Sequence, residues 1–180
     1  HLARDGLPIL RWRLGDQRFH VHDHGEPFTL GKARVSLHPA GHVLGSAQVR
    51  IEVDGEVWVV SGDYKRQHDP TCAAFEAVPC DTFITEATFG LPIYRWPQTA
   101  EVAREIVEWR EECRERGEAA ILYCYALGKA QRLLAELAAQ TEQPALLHGA
   151  IAAGVEVYRH AGVAMLPTHP VGERDRGTDF

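Results

Sequence analysis

The pattern of apolar and polar positions changes character once along the chain. Up to about residue 90 the signals are those of strands. Residues 17–23 and 33–37 alternate loosely and read as strands, joined through glycine and proline breaks near residues 25–27 and 30–31. The clearest local signal is the pair of runs at residues 48–53 and 56–60 on either side of Asp54-Gly55. That dipeptide tolerates the positive φ of a type I′ turn, so the pattern predicts a two-residue hairpin. Val49, Ile51 and Val53 fall on one face of it, and Arg50 and Glu52 on the other. The returning strand runs out at Ser61-Gly62-Asp63, which sets Asp63 at a strand tip. A short strand over residues 82–85 delivers Glu86 to another.

From Pro97 the period becomes helical. Thr99 is placed to cap a helix, Glu101 lies in its first turn, Arg114 and Arg116 in its last, and Gly117 ends it. Val102, Ile106, Trp109 and Cys113 form its core stripe. Residues 119–125 are continuously apolar, the pattern of a strand buried on both faces. Gly128 opens a second helix with Leu133, Leu134 and Leu137 inward, and residues 149–160 read as a third helix leading to a weak strand at 163–166. Alternating helices and strands predict a parallel α/β layer. The chain is thus β-rich first and α/β second, with the join near residues 91–97.

Composition narrows the class. With 180 residues, 45% hydrophobic and 24% charged, the chain is globular and long enough for one domain or two small ones. The longest apolar run is too short to span a bilayer, and no signal-peptide pattern opens the chain, so a soluble, cytoplasmic protein is expected. The net charge of −6 is spread evenly over both halves, so any handling of a polyanion must come from a local site. The chain opens on His1 without an initiator Met and stops in a polar stretch, which reads as an internal segment of a longer protein. The four cysteines form no C-x-x-C pair and read as free, buried thiols.

Ten histidines invite a search for metal ligands. The obvious cluster, His20-Val21-His22-Asp23-His24, has the wrong spacing for a dinuclear H-x-H-x-D-H site, because Asp23 follows His22 directly. Alternation would put the three histidines on one strand face and Asp23 on the other, and a solvated strand edge is the expectation. Three other stretches place acid/base or ligand groups beside glycine: residues 38–47 around His42, Ser61-Gly62-Asp63-Tyr64, and Thr85-Glu86-Ala87-Thr88-Phe89-Gly90. A hairpin brings its outer ends together, so His42 and Asp63 are expected to be neighbours. Taken alone, such a pair is more often a plain hydrogen bond than a metal site.

Taken in order, Ala40-Gly41-His42-Val43-Leu44-Gly45-Ser46-Ala47, Ser61-Gly62-Asp63-Tyr64, Thr85-Glu86-Ala87-Thr88-Phe89-Gly90 and Ala126-Leu127-Gly128-Lys129-Ala130-Gln131 resemble the β-CASP nucleases of the metallo-β-lactamase superfamily. Within it they look most like the bacterial ligase-associated DNA exonucleases. The resemblance implies an α/β chain holding part of a metallo-β-lactamase αββα sandwich over residues 1–95 and part of a β-CASP domain over residues 96–180. It implies a di-zinc (or manganese) site in which His42 is a metal ligand and Asp63 the bridging carboxylate. Glu86 would be the catalytic acid that orients a downstream histidine, and Lys129, at a helix start, a nucleic-acid contact. The implied activity is phosphodiester hydrolysis, with DNA favoured over RNA as partner and a DNA ligase and helicase as associated proteins. RNA 3′-end processing and a non-catalytic binding scaffold are the alternatives. No H-x-H-x-D-H occurs in the chain, and two ligands cannot complete a dinuclear site. Hence the segment alone is expected to be incomplete as an enzyme.

Overall fold

The computed structural model describes residues 1–172, which divide into a unit spanning His1–Tyr94 and a second unit beginning at Arg95. The polar stretch from residue 173 onward lies outside the described residues. In the first unit β1 (Leu2–Ala3) leads through a 3-10 turn (Arg4–Gly6) into α1 (Leu7–Leu14). There follow β2 (Val21–His22), β3 (Phe28–Leu30), β4 (Ala33–Pro39), β5 (Ala47–Val53), β6 (Glu56–Val60) and β7 (Thr82–Ile84). Strands β3 to β7 form one sheet in sequence order, antiparallel except for the parallel pair β6–β7, while β1 and β2 pair separately.

The β5–β6 hairpin closes where Asp54 and Gly55 take φ of 52° and 88°. Its register pairs Val49 with Val60 and Ile51 with Trp58, so the apolar residues share a face. Val35, Leu37, Val59, Leu2, Ala3, Ile9 and Leu44 are buried.

The long segment after β6 is held by a nearly buried ion pair. Lys65 Nζ bonds Asp69 Oδ2, and Asp69 Oδ1 accepts from the Thr71 backbone N–H at 2.9 Å and its hydroxyl at 2.6 Å. Burial alone would raise the Asp69 carboxyl, but the bonds from Lys65 and Thr71 outweigh it and hold the group below its usual range. A depressed folded-state pKa stabilises the fold above the unfolded value and is lost as pH falls through the folded one. Asp69→Asn should therefore destabilise by about 2–3 kcal/mol at neutral pH, leaving Lys65 without its partner. The gap to wild type should close below about pH 4, as urea titrations at both pH values would show.

The second unit contains α2 (Thr99–Glu115), α3 (Lys129–Leu137), β8 (Ala145–Leu147), α4 (Gly149–His160) and β9 (Thr168–Pro170). Strands β8 and β9 pair in parallel, with α4 as the crossover between them. Ala103, Leu134, Leu137, Leu147, Val155 and Leu166 form the core, with Ile106, Val107 and Leu133 packed against it.

The three helices stand where the period puts them, but several expectations are overturned. Thr99 does not cap α2: it is the first helical residue, Gln98 holds the cap position, and the Thr99 hydroxyl accepts from Arg132 at 2.9 Å. Of the expected stripe of α2, Cys113 is buried and Ile106 packs against the core, but Trp109 is 37% exposed and Ala103 is buried in addition. Residues 119–125 form no strand, and Ile121, Tyr123 and Tyr125 are 62%, 94% and 80% exposed. Ala120, Leu122 and Cys124 of that run instead line an apolar pocket of about 180 Å³ with Ile106, Leu133 and Leu146. The strand expected at 163–166 is displaced to β9, because Leu166 N–H is committed to Leu134 O at 3.0 Å and the ladder starts only beyond it. The strand expected at 17–23 shrinks to β2, and α1, whose sequence Leu-Pro-Ile-Leu-Arg-Trp-Arg-Leu carries no clean stripe, was not anticipated. Of the four cysteines only Cys113 is buried, and Cys72, Cys80 and Cys124 are half-buried.

Candidate functional site

Strand direction explains which loops can meet. The β4–β5 loop lies where β5 begins. Because β5 is antiparallel to β6 and β6 parallel to β7, the ends of β6 and β7 lie at that same edge. His42 is in the loop, Asp63 follows β6 and Glu86 follows β7. The sheet therefore presents all three sequence-predicted groups of this unit at one end, and each sits on irregular backbone supported by a rigid strand.

The loop is shaped from within. Ser46 Oγ accepts from the backbone N–H groups of both His42 and Val43 at 3.1 Å, and Ser46 N–H donates to Val43 O at 2.9 Å. His42 Nε2 then stands 3.8 Å from Asp63 Oδ2, and both side chains are open to solvent. Glu86 Oε2 accepts from Thr88 N–H at 2.7 Å. That backbone bond, then the Thr88 hydroxyl, then the His42 ring hold the Glu86 carboxyl below its ordinary value, so it is ionised at neutral pH.

His42 and Asp63 are donors of the right kind for a divalent metal, and their separation lets both face one ion after small side-chain rotations. Zinc, however, takes three or four protein ligands. Among the described residues no three His, Cys, Asp or Glu side chains converge to hold an ion, and Glu86 does not complete the set. The residues present thus fit part of a metal site and not a whole one.

Lys129 belongs to the second unit, where it is the first residue of α3 and exposed. The expectation that free helix N–H groups would add to its charge is only weakly met. Gly128 N–H donates to Gln131 Oε1 at 2.7 Å and Ala130 N–H to Tyr125 O at 3.1 Å, so two of these donors are already used. What Lys129 offers is its ammonium. Gln131, fully buried, is the residue sequence reasoning missed here; its Nε2 also donates to Ala126 O at 2.9 Å and so fixes the turn into α3.

Histidines of the cluster pack against His1, and His22 is less solvated than its sequence suggested. His1 stacks on His20, His22 and Phe28 with ring centroids 4.8, 5.1 and 4.5 Å apart, and His1 Nδ1 meets His22 Nε2 at 2.9 Å. Asp23 turns away to pair with Arg4 at 2.5 Å, and His24 lies in the turn after β2 rather than on its face. Replacing His20, His22 and His24 together with alanine should leave the metal content of the full-length protein unchanged. A stability loss of about 1 kcal/mol from the unstacked rings is expected in a thermal melt. Metal loss would contradict the assignment.

No family model matches the chain. It is 34% identical over 163 residues to a probable DNA ligase of Opitutus terrae, covering 88% of this chain and 16% of that protein. It is 33% identical over 116 residues to cleavage and polyadenylation specificity factor 73 of Drosophila melanogaster, covering 63% and 16%. It is also 32% identical over 103 residues to an RNase J-like protein of Methanocaldococcus jannaschii, covering 56% and 24%. The chain thus spans no more than about a quarter of the length of these relatives. The match to the probable DNA ligase runs over most of the chain, the other relatives are matched over its larger part, and the four glycine-bearing motifs stand in the family's order: the chain belongs to the β-CASP branch of the metallo-β-lactamase superfamily.

Proposed function

We propose that the protein to which this chain belongs is a metal-dependent nuclease, and specifically a DNA exonuclease working in repair beside a DNA ligase. The observation that carries this reading is the His42–Asp63 pair, 3.8 Å apart at the same sheet edge as an ionised Glu86. In this reading His42 and Asp63 would be two of the residues that hold a zinc pair. Bound zinc supplies a water whose pKa lies near neutrality and an electrophile for the phosphoryl oxygen. Glu86, anchored by Thr88, orients a histidine of the β-CASP portion, and Lys129 neutralises a substrate phosphate. The αββα and β-CASP assignments of residues 1–95 and 96–180 belong to this proposal.

DNA is favoured because the relative matched over most of the chain is named a DNA ligase. The names of the other relatives support RNA 3′-end processing as the second reading. No helix among the described residues is long and apolar enough to cross a membrane, in keeping with a nuclease acting in the cytoplasm. End-labelled single-stranded DNA and RNA of the same sequence, incubated with the full-length protein and zinc or manganese, test the reading. Stepwise shortening of DNA supports it. Cutting of RNA alone selects the second reading, and binding without cutting overturns both.

A further inference from the structure

We propose that His38, held between Ser36 and Glu76, is a positioning residue that sets the spacing of His42 and Asp63. His38 Nδ1 meets Glu76 Oε1 at 2.9 Å, and its Nε2 meets Ser36 Oγ at 3.0 Å. A carboxylate can only accept, so Nδ1 carries a proton, and in the neutral ring Nε2 accepts from the Ser36 hydroxyl. With both nitrogens engaged, the half-buried ring has one orientation. The order serine, histidine, carboxylate is that of a nucleophile triad, but Ser36 is only 5% exposed and lies within a strand of the sheet.

What the arrangement does instead is join two loops. β4 carries His38 directly into the His42 loop, and the segment leaving Asp63 folds back as far as Glu76. Glu76 N–H donates to Pro39 O at 3.1 Å and Lys65 N–H to Ala40 O at 2.9 Å. Gln48, fully buried, donates to both Pro39 O at 3.0 Å and Glu76 O at 2.7 Å. The His38–Glu76 bond adds a directional side-chain tie to this seam, four residues before His42. Metal ligands must be held to within about 0.5 Å, so a tie at this point acts on the His42–Asp63 distance.

The inference rests on the metal-site reading, and its test separates the two. In full-length protein, Glu76→Ala is expected to speed zinc loss to a chelator by roughly 10- to 100-fold, the usual cost of removing a supporting group. Amide hydrogen exchange should also quicken in peptides covering residues 39–47 and 64–76. Glu76→Gln, whose amide oxygen still accepts from Nδ1, should restore both to near wild type. Unchanged zinc loss and exchange in Glu76→Ala, or equal damage in Glu76→Gln, would overturn the inference. Should the wild-type protein hold no zinc, the functional reading fails and the exchange comparison alone decides: local loosening rescued by Gln upholds the tie, and its absence refutes it.

Discussion

Replacing Asp63 with alanine in the full-length protein should lower phosphodiester cleavage by more than roughly 100-fold, beyond what removal of a supporting group costs. It should reduce bound zinc as well. Compared in the metal-free state, stability should shift by no more than about 0.5 kcal/mol, because Asp63 is an exposed carboxylate whose ionic neighbour is His42 at 3.8 Å. Loss of activity without loss of fold is the pattern of a ligand, since nothing in the sheet depends on this side chain. His42→Ala should behave alike, and the double variant should be scarcely worse than either single one, because the two residues act on one ion. Wild-type turnover in Asp63→Ala would remove the bridging assignment.

The second large effect is on the fold. Gly41 has φ of +70°, and a Cβ there would lie 2.3 Å from Lys65 O and 2.9 Å from Phe75 N, both backbone atoms that cannot rotate aside. Gly41→Ala combines left-handed strain with this collision and should cost roughly 3 kcal/mol or more. At the roughly 2–4 °C per kcal/mol of a chain of about 150–250 residues, that lowers Tm by roughly 6–12 °C. Gly55→Ala is the control, since Gly55 has φ of +88° but open space around it. Strain alone, about 1–2 kcal/mol, is expected there, with metal content intact. Equal losses in the two variants would mean that the crowding between the His42 loop and the residue 65–75 segment is not what Gly41 serves.

The legible parts of the fold were those with a local cause. Asp54-Gly55 dictates its own turn and so the hairpin, and from the hairpin follows the approach of His42 to Asp63. Helices α2, α3 and α4 announce themselves through their period and the glycines at their ends. Residues 119–125 were misread because an apolar run records hydrophobicity without recording what covers it. Strands β8 and β9 have three residues each, too few for alternation to register. The seam under the site was illegible for a different reason. His38 and Glu76 are 38 positions apart, Gln48 and Glu76 are 28, and no spacing rule connects them before the segment after Asp63 folds back.

The account stands or falls most directly on the metal content of the full-length protein purified without chelator. Elemental analysis should find about two zinc ions per chain, together with shortening of a labelled DNA strand that a chelator abolishes and zinc restores. Protein that is metal-free as purified, takes up no zinc or manganese and still binds DNA without cutting it would contradict the account.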